Sequence, residues 1–85
     1  MKISTQFFYS NQQIFLTVKE FDLLVLLIKN RGNVLTREQL LEYIWDISAD
    51  VESRTVDVHI RTLRQKLGDA GNSIETIRGV GYKFI

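Results

Sequence analysis

The chain has 85 residues, 45% of them hydrophobic, with no cysteine and no proline. That length makes one domain, 1–85, near the lower end of what folds without covalent staples. The missing cysteines exclude disulfides and thiolate chemistry and fit a reducing compartment, the cytoplasm. The net charge of +1 argues only weakly against a nucleic-acid partner, because it is unevenly spread. Residues 1–53 carry five basic against seven acidic side chains, net −2, and residues 54–85 carry six against three, net +3. Met1-Lys2 leads into polar Ser4, Thr5 and Gln6, without a signal-peptide apolar region. The longest apolar run, Leu23 to Ile28, is too short to span a bilayer, so no membrane role is expected.

In chain order, Phe7-Phe8-Tyr9 and Ile14-Phe15-Leu16 are β-favouring, with Ser10-Asn11 as a turn between them. They predict a hairpin, to which Lys2-Ile3-Ser4 adds a third short strand. Thr17-Val-Lys-Glu20 has the form of a capping box, in which the threonine hydroxyl and the glutamate each satisfy a free amide. The helix it opens reaches about Asn30 and is apolar nearly all round, so it should be the most buried one. Arg31-Gly32-Asn33 ends it, and Val34-Leu35 is too short to classify. Thr36-Arg-Glu-Gln39 is a second capping box, opening a helix to about Trp45 with Leu40, Leu41, Ile44 and Trp45 turned inward. Asp46 to Glu52 is a polar connection containing Ile47 and Val51, longer than a simple helix-turn-helix turn.

The third helix is expected over Arg54 to Leu67, with Ser53 as N-cap and Gly68 as the terminating turn. Val56, Ile60, Leu63 and Leu67 recur at i, i+4, i+7 and i+11, one stripe of an α-helix. At about 100° per residue, Arg54, Val58, Arg61, Thr62 and Gln65 project away from that stripe. Thr55, His59 and Lys66 fall on one flank, Asp57 and Arg64 on the other. Long basic and amide groups around one exposed valine suit a helix in a DNA major groove: cations for phosphates, Gln and Thr for base edges, a methyl for thymine. A solvated amphipathic helix has the same composition. Residues 69–73 read as a loop. Ile74 to Arg78 and Tyr82 to Ile85 read as strands joined through Gly79-Val80-Gly81, whose glycines allow positive φ and a tight tip. Strands, three helices and a hairpin give an α+β winged helix: a three-helix core with a helix-turn-helix, short N-terminal β-strands and a C-terminal β-hairpin wing.

Five segments carry a family resemblance: Leu16-Thr-Val-Lys-Glu-Phe-Asp-Leu-Leu24, Leu35-Thr-Arg-Glu-Gln-Leu-Leu41 with Ile44-Trp45, Arg54-Thr-Val-Asp-Val-His-Ile60, Leu63-Arg-Gln-Lys-Leu67, and Ile77-Arg-Gly-Val-Gly-Tyr82. In order and spacing, from about Ile14 to Phe84, the chain resembles the OmpR/PhoB-type effector domains of bacterial two-component response regulators. The N-terminal strands look shorter than that family's four-stranded platform. The resemblance implies sequence-specific binding to double-stranded promoter DNA for transcription regulation, commonly as a tandem head-to-tail dimer, with the third helix in the major groove and the wing in the minor groove. It implies phosphate contacts for Arg54, Thr55, His59, Arg61 and Arg64, and a thymine contact for Val58. Arg78 matches the minor-groove arginine, with Thr76 beside it, and Tyr82 and Trp45 match aromatics that touch the DNA backbone. Thr62 stands where some relatives place a base-reading arginine; with Gln65 it is expected at base edges. Asp46 to Glu52 corresponds to the loop that touches RNA polymerase in some members. Such regulators usually carry a receiver domain, missing from this chain, which therefore reads as an excised effector domain or else an unusual stand-alone regulator, the excised domain being favoured.

Several residues have a plainer reading. Arg61 could pair with Asp57 at i, i+4, and Arg64 with a carboxylate of the first or second helix. Trp45 and Tyr82 could simply pack. His59 lacks partner ligands for a metal, and Ser53, Asp57 and His59 lack the geometry of a catalytic triad, so no cofactor and no enzymatic activity are expected. A protein-interaction module using Val58 and the 46–52 connection is the alternative function.

Overall fold

The computed structural model describes residues 3–9, 12–45 and 51–85. Strands β1 (Ile3–Tyr9) and β2 (Gln12–Thr17) form the antiparallel N-terminal hairpin, in register from Ile3 opposite Thr17 to Tyr9 opposite Gln12. Ile3 and Ser4 belong to β1 itself, with a register shift between Ile3 and Thr5, so they make no separate third strand. Lys2 and the Ser10-Asn11 turn lie outside the described residues.

Thr17 ends β2 and caps α1 (Val18–Lys29): its amide donates to Glu20 Oε1 at 2.9 Å, and the Glu20 amide donates to Thr17 Oγ1 at 3.2 Å. Thr36 and Gln39 repeat the device at α2 (Arg37–Ile44), with bonds of 2.9 and 3.0 Å. Both helices start where the capping boxes predict, because each box satisfies amides that a helix start would otherwise leave free.

Helix α3 (Arg54–Leu67) buries Val56, Ile60, Leu63 and Leu67, the four residues of its apolar stripe. Ser53 does not cap it. Its backbone is already helical (φ −61°, ψ −27°) and its side chain makes no cap bond. Backbone bonds from Thr55 to Glu52 O and from Val56 to Ser53 O, both 3.0 Å, open the helix instead. Gly68, at φ 60°, terminates α3, and a 3₁₀ turn over Gly68–Ser73 replaces the expected loop.

The wing is a three-stranded sheet. Strands β4 (Ile74–Ile77) and β5 (Gly81–Phe84) form the hairpin, and β3 (Val34–Thr36) joins the other edge of β5, giving the order β3-β5-β4. The Val34-Leu35 stretch, unclassifiable alone, is a strand because β5 offers it an edge. Gly81 sits at that junction. A Cβ there would lie 1.9 Å from Leu35 O, so close approach of two backbones requires glycine; positive φ belongs to Gly79 at 74°. Arg78 is in the turn rather than in β4.

The core joins Leu16, three leucines of α1, Leu35, Leu40, the α3 stripe, Ile74 and Tyr82. α1 is not buried all round. Leu23, Leu24 and Leu27 are inside, while Phe21, Val25 and Leu26 are half-buried and Val18 and Ile28 exposed. A domain this small does not supply enough neighbours to cover every face of a helix.

Candidate nucleic-acid interface

Burying its stripe turns a cationic face of α3 outward. Arg54, Arg61 and Gln65 are exposed, and Val58 stands 58% exposed among them. Among the described residues Arg54 pairs with Glu52, at 2.7 Å, with both side chains mostly in water, so the pair is weakly held. Arg61 makes no hydrogen bond or ion pair with any described residue. Its expected partner, Asp57, is engaged elsewhere.

On one flank, His59 packs edge-on against Trp45, ring centroids 4.9 Å apart, and its Nδ1 lies 2.9 Å from Thr55 O. A carbonyl only accepts, so Nδ1 carries the hydrogen. Lys19 stands over the Trp45 ring at 5.5 Å and donates to Ile44 O at 2.7 Å. Trp45, His59 and Thr55 thus form one half-buried group near the start of α3.

Thr62 is a correction. It does not project outward: its Oγ1 donates to Glu20 Oε2 at 2.6 Å and lies 3.0 Å from His59 O. Lys66 Nζ reaches the same carboxylate at 2.7 Å. Glu20 is only 3% exposed. Burial pushes its pKa up, but hydrogen bonds from Lys66, Thr17 and Thr62 outweigh that and hold it at about 2. α1 covers the flank that helical periodicity alone assigns to solvent.

On the opposite flank, Asp57 Oδ1 accepts from Arg37 Nε at 2.9 Å and from the Tyr82 hydroxyl at 2.5 Å. Burial raises the Asp57 pKa, and these two hydrogen bonds lower it further than burial raises it. Burial and the neighbouring Asp57 push the Tyr82 phenol up to about 12. Tyr82 is 5% exposed, so its ring packs and is not a free surface aromatic. Arg64 pairs with no carboxylate among the described residues. Its Nε and Nη2 donate to Ile74 O at 3.2 and 2.5 Å, and Nη2 also donates to Thr76 Oγ1 at 2.7 Å. Its guanidinium carbon lies 5.5 Å from the Tyr82 ring centroid. Thr76 and Arg78 are exposed on the wing beside it. The wing therefore abuts the Asp57 and Arg64 flank of α3.

Two residues of this arrangement, Glu20 and Arg37, stand out in the sequence only as parts of capping boxes. Arg37 carries a weak signal: a cation in the first turn of a helix opposes the helix dipole, and a partner carboxylate offsets this. Residues 46–50 of the connection assigned to a polymerase contact lie outside the described residues. Among the described residues, no three potential metal ligands cluster, and no helix is long and apolar enough to cross a membrane.

The profile of the family "Transcriptional regulatory protein, C terminal" matches residues 11–84. The chain belongs to that family. It is a winged-helix effector domain of the OmpR/PhoB type, as its motifs suggested, in a family of transcription regulators and not of enzymes. It is 48% identical over 83 residues to the transcriptional regulatory protein VxrB of Vibrio cholerae serotype O1, covering 98% of this chain and 33% of VxrB. The chain thus spans about a third of the length of the curated relatives it matches. Among solved structures it is similar to the DNA-binding domain of Bacillus subtilis CssR, with TM-score 0.86, 37% identity, and coverage of 94% of this chain and 90% of that one. It is also similar to the DNA-binding domain of the response regulator AdeR in complex with an intercistronic region, with TM-score 0.74, 32% identity, and coverage of 89% and 80%.

Proposed function

We propose that this effector domain binds double-stranded promoter DNA sequence-specifically, with α3 along the major groove and the Arg78 turn in the adjacent minor groove. One observation carries the reading: the free cationic face of α3 and the wing lie side by side, bridged by the 2.7 Å bond from Arg64 to Thr76. Arg54 and Arg61 hold phosphates at the groove rim, with Thr55, His59 and Trp45 at the start of the helix. Val58 meets a thymine methyl and Gln65 a base edge. Arg78 provides the minor-groove cation, and Thr76 stands next to it. Thr62 and Tyr82 are placed behind this surface, and Arg64 directs Nε and Nη2 to the wing. A tandem arrangement on direct repeats, a polymerase contact through residues 46–52, an attached receiver domain and a cytoplasmic location complete the proposal, on the family's pattern.

Two experiments test it. A gel-shift titration with random duplex DNA at low and moderate salt should show a steep loss of affinity with salt. Selection of bound duplexes from a random pool should yield a defined site and its repeat spacing. If Arg54→Ala combined with Arg61→Ala left both affinity and salt dependence unchanged, α3 would not be the DNA-binding element.

A further inference from the structure

We infer that Asp57 and Tyr82 form a clamp that sets the wing's position relative to α3, so both act in DNA recognition as positioning residues rather than as contacts. The inference rests on the DNA-binding reading above. A single carboxylate oxygen, Asp57 Oδ1, joins three elements: α3, which carries it; β5, through the Tyr82 hydroxyl at 2.5 Å; and α2, through Arg37 Nε at 2.9 Å. Tyr82 lies on the central strand of the wing sheet, opposite Leu35 on one side and Thr76 on the other. Its ring is flanked by the Arg64 guanidinium, which bonds Ile74 O and Thr76 Oγ1 on β4. The backbone amide of Arg37 donates to Val80 O at 3.2 Å. The turn that carries Arg78 is therefore fastened to the same residue whose side chain reaches Asp57.

Directional bonds are needed here for a physical reason. Apolar packing of the sheet is non-directional and would tolerate a pivot of its short strands. A short hairpin is marginal by itself. Two hydrogen bonds to one oxygen remove that freedom before any ligand arrives, and preorganisation of this kind raises affinity by reducing the ordering required on binding.

The test is a double-substitution cycle on the selected duplex, together with amide hydrogen exchange in the free domain. Tyr82→Phe removes one hydroxyl and keeps the ring. It should weaken binding about tenfold, and Arg78→Ala should cost about tenfold in the native background but less than about threefold once Tyr82 is Phe. In the free Tyr82→Phe domain, amides of residues 77–81 should exchange faster while those of Leu23 and Ile60 stay protected. Asp57→Ala, which removes the shared acceptor oxygen, should give the same pattern and serves if Tyr82→Phe fails to fold. Penalties that multiply, or wing exchange that does not change, overturn the clamp. Faster wing exchange in a domain whose native form selects no duplex overturns the DNA reading instead and leaves the clamp as a device of the fold.

Discussion

At Glu20 one carboxylate closes the cap of α1 and ties that helix to α3 through Thr62 and Lys66. Replacing it with alanine removes a cap and strands two polar partners, at a cost of about 2–3 kcal/mol in urea unfolding. Its pKa is lowered in the fold from 4.5 to about 2, since the three hydrogen bonds outweigh burial. The stabilisation is therefore fully present above pH 4.5 and is lost as pH falls toward 2. Between about pH 6 and about pH 3 the native domain should lose about 2 kcal/mol more than Glu20→Gln, which cannot titrate. Equal losses would show that folding leaves the Glu20 pKa unshifted. Arg61 is the counterpart on the outer face. Free of Asp57, it is available to a phosphate, and Arg61→Ala should weaken binding to every duplex and reduce the salt slope by about one. Substituting Gln65 should instead change the preference between sites.

Among the elements, the wing depends most on a single position. Gly81→Ala would place a methyl 1.9 Å from Leu35 O and 2.8 Å from the Thr36 Cα, atoms of backbone that cannot swing aside. It should separate β3 from β5 and destabilise the domain by about 3 kcal/mol or more, read by thermal unfolding. Gly79→Ala meets no atom within 4 Å and carries only the strain of φ 74°, so about 1 kcal/mol is expected. The reverse order of the two penalties would contradict the sheet order β3-β5-β4. The capping boxes and the α3 stripe were legible because their causes are local: hydrogen bonds spanning three residues and a 3.6-residue period. β3 was not legible, because a three-residue segment becomes a strand only when β5 presents an edge to it. Nor was the orientation of Thr62, which periodicity turns outward and α1 covers.

For the whole molecule, the net charge of +1 conceals a segregated field, negative over residues 1–53 and positive over 54–85. On the proposed docking, the exposed cations Arg54, Arg61 and Arg78 each neutralise a phosphate charge, so log affinity should fall against log salt with a slope of about −3. A slope near zero would exclude α3 and the wing as the binding surface. The sequence by itself determined where the helices begin, which stripe of α3 turns inward and which half of the chain is cationic, since these follow from short-range hydrogen bonding, periodicity and composition; its motifs, in order and spacing, carried the family resemblance. Only the tertiary structure decided which polar groups of α3 remain free. Asp57 and Arg64 are drawn to the wing, Thr62 and Lys66 to Glu20, and Arg61 is left to solvent, because each partner arrives from a distant part of the chain and no local rule counts it.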